Sequence, residues 1–293
     1  MASEELWTVR RILDWTCGFL ERKGDEHPRL SAEWLLSNAT GLSRVELYMS
    51  FDRPLMGEEL DLMREGVRRR GAGEPLQYVT GEMPFRHIVL RCEPEVLIPR
   101  PETEILVDAA LEGVDASDAS MPRVLEVGTG TGCIACSIAV ERRNAIVIAT
   151  DLSPQAARLA RRNADALNVG GRVDVVECDL IARVPEELMG SFAVLVSNPP
   201  YIPSDVVPLL PYEVRGFEPG LALDGGNDGL DVFRRILEVA PAVLAPGGML
   251  CVELFEENVL DAVGLVRLQD GWDHVEVRED LTHRPRVLVA QRG

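Results

Sequence analysis

Through the first eighty residues apolar side chains recur three and four positions apart; beyond that they gather into short runs. The first pattern predicts amphipathic helices and the second predicts strands. Leu6, Val9, Leu13, Cys17 and Leu20 share one face of a first helix that ends at Gly24. A second helix, carrying Trp34, Leu35 and Leu36, stops at Gly41, where a left-handed residue closes a helix cheaply. Ser43 and Glu46 have capping-box spacing and open a short third helix. Residues 57–70, with Leu60, Met63 and Val67, form a fourth. Pro75 starts a brief fifth that Gly81 closes. Residues 1–82 therefore read as a helical bundle without a catalytic constellation.

Residues 83–98 change to β character. Phe85 to Leu90 and Val96 to Ile98 flank a turn at Glu93-Pro94, which predicts a hairpin linking two domains. Residues 99–293 then alternate. A helix carries Ile105, Leu106 and Val107, and a small polar loop follows over 115–122. Strands are predicted at 124–127, 146–150, 173–177, 193–197, 249–254, 273–278 and 286–291, with helices at 133–143, 154–167 and 229–244 and one after 254. Strand–helix alternation of this kind builds a doubly wound, mostly parallel α/β sheet of seven strands, covered by helices on both faces.

Composition narrows the possibilities. The 293 residues are 46% apolar, enough for a substantial core, and no apolar run reaches the length of a membrane span. Met1-Ala2-Ser3-Glu4-Glu5 lacks the basic and apolar pattern of a secretory signal, so a cytoplasmic protein with reduced thiols is expected. A net charge of −18 opposes direct binding of nucleic acid, which needs cations against phosphates. Cys133 and Cys136 have the spacing of half a zinc or redox site. No second pair accompanies them and the four histidines form no ligand spacing, so no metal is expected.

The chemistry is expected where strands end, because ligands of open α/β sheets bind beyond the carboxyl ends of the strands. The first parallel strand runs into Glu126-Val127-Gly128-Thr129-Gly130-Thr131-Gly132 and then a helix. Glycines admit a ligand close to the backbone, and the helix start favours an anionic group. Cys133 stands where a dinucleotide fingerprint needs glycine or alanine. Asp151 ends the next strand, placed to accept two ribose hydroxyls, and Asp179 ends the third, with Leu180 available to an adenine ring. The fourth strand, Val194 to Ser197, stops at Asn198-Pro199-Pro200-Tyr201. Two prolines end the ladder and stiffen the corner. That corner can offer the Asn198 oxygen and the Pro199 carbonyl to a planar group bearing NH2, with the Tyr201 ring against its plane.

The Glu-x-Gly-x-Gly-x-Gly spacing looks like that of S-adenosylmethionine-dependent methyltransferases of the doubly wound class, which implies a class I methyltransferase sheet. More specifically, the chain resembles the bacterial release factor glutamine methyltransferases, the HemK/PrmC type. The likeness rests on Gly73 to Gly81, on Ile98-Pro99-Arg100-Pro101-Glu102-Thr103-Glu104, on the glycine loop, on Ser197 to Pro203, on Phe217-Glu218-Pro219 and on Gly226 to Asp231. It implies S-adenosyl-L-methionine as cofactor and a peptide chain release factor as protein substrate. The reaction implied is methylation of the glutamine side-chain amide in that factor's Gly-Gly-Gln loop, with the helical bundle helping to dock the partner. Leu254-Phe255-Glu256-Glu257 departs from the family, which commonly has a glycine there, and the 180–192 loop is somewhat long. Asn-Pro-Pro-Tyr is shared with methyltransferases acting on exocyclic amines of nucleic-acid bases, which is the alternative activity.

Overall fold

The computed structural model describes residues 6–293, which fall into two compact units, residues up to Glu82 with Tyr212–Phe217, and Met83–Pro211 with Glu218–Gly293. In the first unit, α1 (Val9–Arg22), α2 (Pro28–Thr40), α3 (Arg44–Met49), α4 (Gly57–Arg70) and α5 (Leu76–Thr80) surround Leu13, Leu20, Leu36, Leu47 and Met63. The end signals act as their chemistry dictates. Ser43 and Glu46 close a reciprocal capping box, and Gly41 and Gly81 take left-handed conformations after α2 and α5. Leu6 is 70% exposed and stands outside the packed face that its spacing predicted, because α1 begins only at Val9, capped by Thr8. Glu33, buried on α2, accepts from Arg29, Arg44 and Tyr48, so a charge enclosed by the bundle is met by a ring of donors.

The second unit opens with a hairpin of β1 (Glu82–Phe85) and β2 (Ile88–Arg91), whose turn lies at Arg86-His87 rather than at Glu93-Pro94. Arg86 has φ 49° and is held there from several sides. Its guanidinium reaches Glu141 and Asp108, and its amide donates to the Glu104 carboxylate. The expected second arm, 96–98, is irregular chain instead. After the hairpin come α6 (Thr103–Asp115), β3 (Arg123–Val127), α7 (Cys133–Glu141), β4 (Ile146–Asp151), α8 (Pro154–Ala166), β5 (Val173–Glu177) and β6 (Phe192–Ser197). Then follow the single turn α9 (Tyr212–Arg215), which belongs to the first unit, and α10 (Asp231–Val243), β7 (Leu244–Glu253), α11 (Val259–Arg267), β8 (Trp272–Glu279) and β9 (Pro285–Arg292).

The seven-stranded sheet has the order β5-β4-β3-β6-β7-β9-β8. Its first five strands are parallel, and β9 runs antiparallel to both of its neighbours. Alternate residues of each strand serve different cores. Val194, Val196, Cys251, Val287 and Val289 pack with α6, α7 and α8, whereas Leu195, Leu250, Val252 and Leu288 pack with α10 and α11. Both faces are covered, so every residue of β6 is buried and the strand is apolar until its last position. At roughly 1.5–3 kcal/mol for each large apolar side chain taken from water, this central strand anchors whatever its carboxyl end presents.

Candidate active site

The carboxyl ends of β3, β4, β5 and β6 meet at one cleft, whose wall includes Gly128, Gly130, Asp151, Asp179, Leu180, Asn198 and Pro200. The glycine loop forms its floor. The amides of Gly128 and Thr129 donate to the Thr150 carbonyl, and the Gly130 amide donates to Asp151 Oδ2 at 2.8 Å. Gly130 has φ 57°, and a Cβ built on it meets nothing within 4 Å, so the loop presents bare backbone to open space. Gly132 is needed for another reason: a Cβ there would press on Ala160 of α8 at 3.2 Å.

Glu126, Thr129, Thr131 and Gly132, also expected to touch cofactor, do not line this cleft. Glu126 is fully buried behind the loop, where its Oε2 accepts from the Thr129 hydroxyl at 2.7 Å and from the Ala135 amide at 3.2 Å. It therefore ties the loop to the first turn of α7. Burial pushes its carboxyl up to about 8, against the lowering pull of those two donors, and its Oε1 has no hydrogen-bond partner.

Asp151 supports the loop and faces the cleft. Its Oδ1 accepts the Ser153 amide at 2.8 Å, opposite the Gly130 bond on Oδ2, and burial raises its pKa in spite of them. Each oxygen keeps further acceptor capacity. Asp179 is exposed and holds Arg235 of α10 at 2.7 Å through Oδ2, a partner that the sequence did not suggest. Leu180 follows with φ 45°, an uncommon conformation for a branched side chain, and lies in the cleft wall. Glu95, Asp151 and Asp179 leave the wall acidic, with Arg235 as its one cation. Such a cleft suits a cationic ligand with an apolar ring.

At the corner after β6, Asn198 donates its Nδ2 to the Thr103 hydroxyl at 3.1 Å, which leaves its Oδ1 as the free acceptor. Pro199 is buried and Pro200 stands in the cleft wall. The Tyr201 ring packs with the α10 core, and its hydroxyl donates to Glu253 Oε1 at 3.2 Å. Burial and the neighbouring Glu253 both raise the Tyr201 pKa, so the phenol stays protonated. The Asn258 side-chain amide holds the Tyr201 carbonyl at 3.1 Å. Arg100 pairs with the buried Glu218, which also accepts the Ile98 amide at 3.3 Å. That clasp joins two runs noted in the sequence, 98–104 and 217–219.

Sequence pattern gave no role to Thr103, Glu253 or Arg235. Glu253 ends β7 as Asp151 ends β4, so the same rule applied to the fifth parallel strand finds it. Cys133 and Cys136 are buried with strongly raised thiols, and among the described residues no cluster of His, Cys, Asp and Glu could hold a metal.

Similarity to known proteins agrees with this geometry. The PrmC N-terminal domain family matches residues 11–81, and the methyltransferase small domain family matches residues 104–207. A release factor glutamine methyltransferase of Geobacter sulfurreducens is 47% identical, covering 85% of each chain. One from Chlorobaculum tepidum is 41% identical over 98% of each chain. This chain belongs to the release factor glutamine methyltransferases. Its fold is that of a class I methyltransferase. A solved methyltransferase structure from Pyrococcus furiosus aligns with TM-score 0.50 at 22% identity, covering 70% of this chain and 88% of the other. No helix among the described residues is long and apolar enough to cross a membrane.

Proposed function

We propose that this enzyme methylates the side-chain amide nitrogen of the glutamine in the Gly-Gly-Gln loop of peptide chain release factors, in the cytoplasm, with S-adenosyl-L-methionine as donor. One observation carries the reading: the Asn198 carboxamide stands at the cleft with its nitrogen turned inward to Thr103 and its oxygen available. A substrate amide needs acceptors for its two N–H groups, and this corner offers the Asn198 oxygen beside the Pro199 carbonyl.

The donor fits the cleft. The bare backbone at Gly128 and Gly130 would take its amino-acid part, Asp151 its ribose hydroxyls, and Leu180 with Asp179 its adenine. When bound, S-adenosyl-L-methionine supplies a methyl group activated by a sulfonium. The protein must overcome the poor nucleophilicity of an amide nitrogen, whose lone pair is delocalised into its carbonyl. Asn198 and Pro199 act as fixed dipoles that favour positive charge growing on that nitrogen. The proline corner holds them in place, so little reorganisation remains to be done during the reaction. Tyr201, braced by Glu253 and Asn258, keeps the corner rigid. No nucleophile of the protein takes part; the N–CH3 bond forms as the sulfonium S–CH3 bond breaks, and the methylated nitrogen then loses one proton to water.

The helical unit is assigned to docking the release factor. The net charge of −18 opposes a nucleic-acid substrate. The test is a competition. Enzyme and labelled donor are mixed with equal amounts of release factor, transfer RNA and duplex DNA. The label is expected on the release factor alone; label on either nucleic acid would establish the alternative activity on base amines.

A further inference from the structure

The carboxamide of Asn198 has two chemically opposite ends that are nearly equal in size, and only one of them can accept a hydrogen bond from a substrate amide. Something must decide which end faces the cleft. The rigid proline corner cannot, because it constrains the backbone and leaves the terminal amide rotation free. The side chains behind Asn198 can.

Thr103, the first residue of α6, is 1% exposed, and its hydroxyl is the atom that receives Asn198 Nδ2 at 3.1 Å. A threonine hydroxyl has one proton, and it can either donate to the Asn198 oxygen or accept from the Asn198 nitrogen. Glu253, at the end of β7, removes that freedom. Its carboxyl is 1% exposed, and burial raises its pKa against the opposing pull of the Thr103 and Tyr201 hydroxyls. Its Oε2 is buried with no hydrogen-bond partner, and the Thr103 hydroxyl is the donor that would satisfy it. With that proton committed to Glu253, the Thr103 oxygen is left to accept, and the Asn198 nitrogen must turn inward. The Asn198 oxygen then faces outward.

We infer that Thr103 and Glu253 are positioning residues that fix the Asn198 carboxamide with its oxygen toward the substrate. The inference rests on the proposed role of Asn198 in holding the substrate amide. It assigns to the Thr103 of the Ile98–Glu104 run, and to the acid ending β7, a task that neither performs by touching substrate. Tyr201 joins the same carboxyl, so the two side chains flanking the proline pair are referred to one buried group.

Thr103→Val keeps the shape and removes the hydroxyl, and Thr103→Ser restores it. With release factor as substrate, kcat of Thr103→Val is expected to fall about tenfold, the scale of one decisive hydrogen bond. The donor KM should stay within about twofold, and Thr103→Ser should recover most of the rate. In an Asn198→Ala background, Thr103→Val should change kcat by less than about twofold, because the group it orients is gone. An equal loss in both backgrounds would mean that Thr103 merely supports the fold, and no loss in either would overturn the inference. A second measurement does not depend on the reaction. In spectra of the full chain labelled at asparagine side-chain nitrogen, the Asn198 NH2 protons should exchange slowly with water in the native protein. They should exchange faster in Thr103→Val and in Glu253→Gln; unchanged exchange in both would overturn the inference even if the enzyme acted on some other substrate. Should the native enzyme leave release factor unmethylated while the exchange behaves as expected, the substrate assignment fails and the positioning role stands.

Discussion

Asp151→Asn separates two tasks carried by one carboxylate. In the native structure Oδ1 accepts the Ser153 amide and Oδ2 accepts the Gly130 amide, each at 2.8 Å. An asparagine side chain has a single acceptor oxygen. Whichever way it turns, its NH2 group must face one of those two amides, and that bond becomes a donor meeting a donor. A buried amide without a partner costs about 1–3 kcal/mol. A gain opposes this loss. Burial raises the Asp151 pKa, so the ionised side chain carries a desolvation penalty in the fold that the neutral amide avoids. The net destabilisation should sit near the low end, about 1 kcal/mol, which lowers Tm by about 2–4 °C for a chain of this size. The ribose contact proposed for Asp151 should suffer more. Replacing one charge-assisted hydrogen bond is worth about 1.5–3 kcal/mol, or roughly 10- to 100-fold in Kd. Calorimetric titration of S-adenosyl-L-methionine, beside thermal unfolding without it, reads both effects. A Kd within threefold of the native value, together with a lower Tm, would show that Asp151 only braces the glycine loop.

Two further perturbations probe the same region. Asn198→Ala removes the acceptor proposed for the substrate amide and should lower kcat by about 10²–10³-fold with only a small change in donor affinity, read by single-turnover methyl transfer; a loss under threefold would remove Asn198 from the mechanism. Glu126 is held near 8 by burial, above its ordinary 4.5, so between those values the folded chain keeps a proton that the unfolded chain has lost. Its contribution to stability is therefore greatest at low pH, declines as pH rises from about 4.5, and levels off above about 8. In urea unfolding from pH 5 to 9, Glu126→Gln should flatten that decline relative to the native protein, and parallel curves would contradict the assignment.

The residues themselves show how much could be read in advance. Strands β3, β4 and β6 are legible because both of their faces are buried, which demands a short, largely apolar run, whereas the edge strand β5 shows itself by alternation. Helix ends were legible where a local device sets them, as with Ser43 and Glu46 or Gly81. The hairpin turn was misplaced because Arg86 owes its left-handed conformation to Glu104, Asp108 and Glu141, residues far along the chain. Leu6 fitted the helical spacing yet lies before the cap at Thr8. In the site, the glycine loop, Asp151 and the Asn198 corner announce themselves by position at strand ends. Their supports do not: Thr103 lies 95 residues before Asn198, and Arg235 lies 56 residues after Asp179. Such partners are brought together only by the closed sheet. The division of the glycine loop was hidden for the same reason, since Glu126 and Gly130 belong to one motif but face opposite sides of the backbone.

The measurement that bears most directly on the central claim is the mass of the release factor peptide containing Gly-Gly-Gln after incubation with enzyme and S-adenosyl-L-methionine. The account predicts one added CH2 group, placed by fragmentation on the glutamine side-chain nitrogen and formed about 10²–10³-fold more slowly when Asn198→Ala replaces the native enzyme. An unmodified glutamine, with the methyl group recovered instead from nucleic acid or from another side chain, would contradict it.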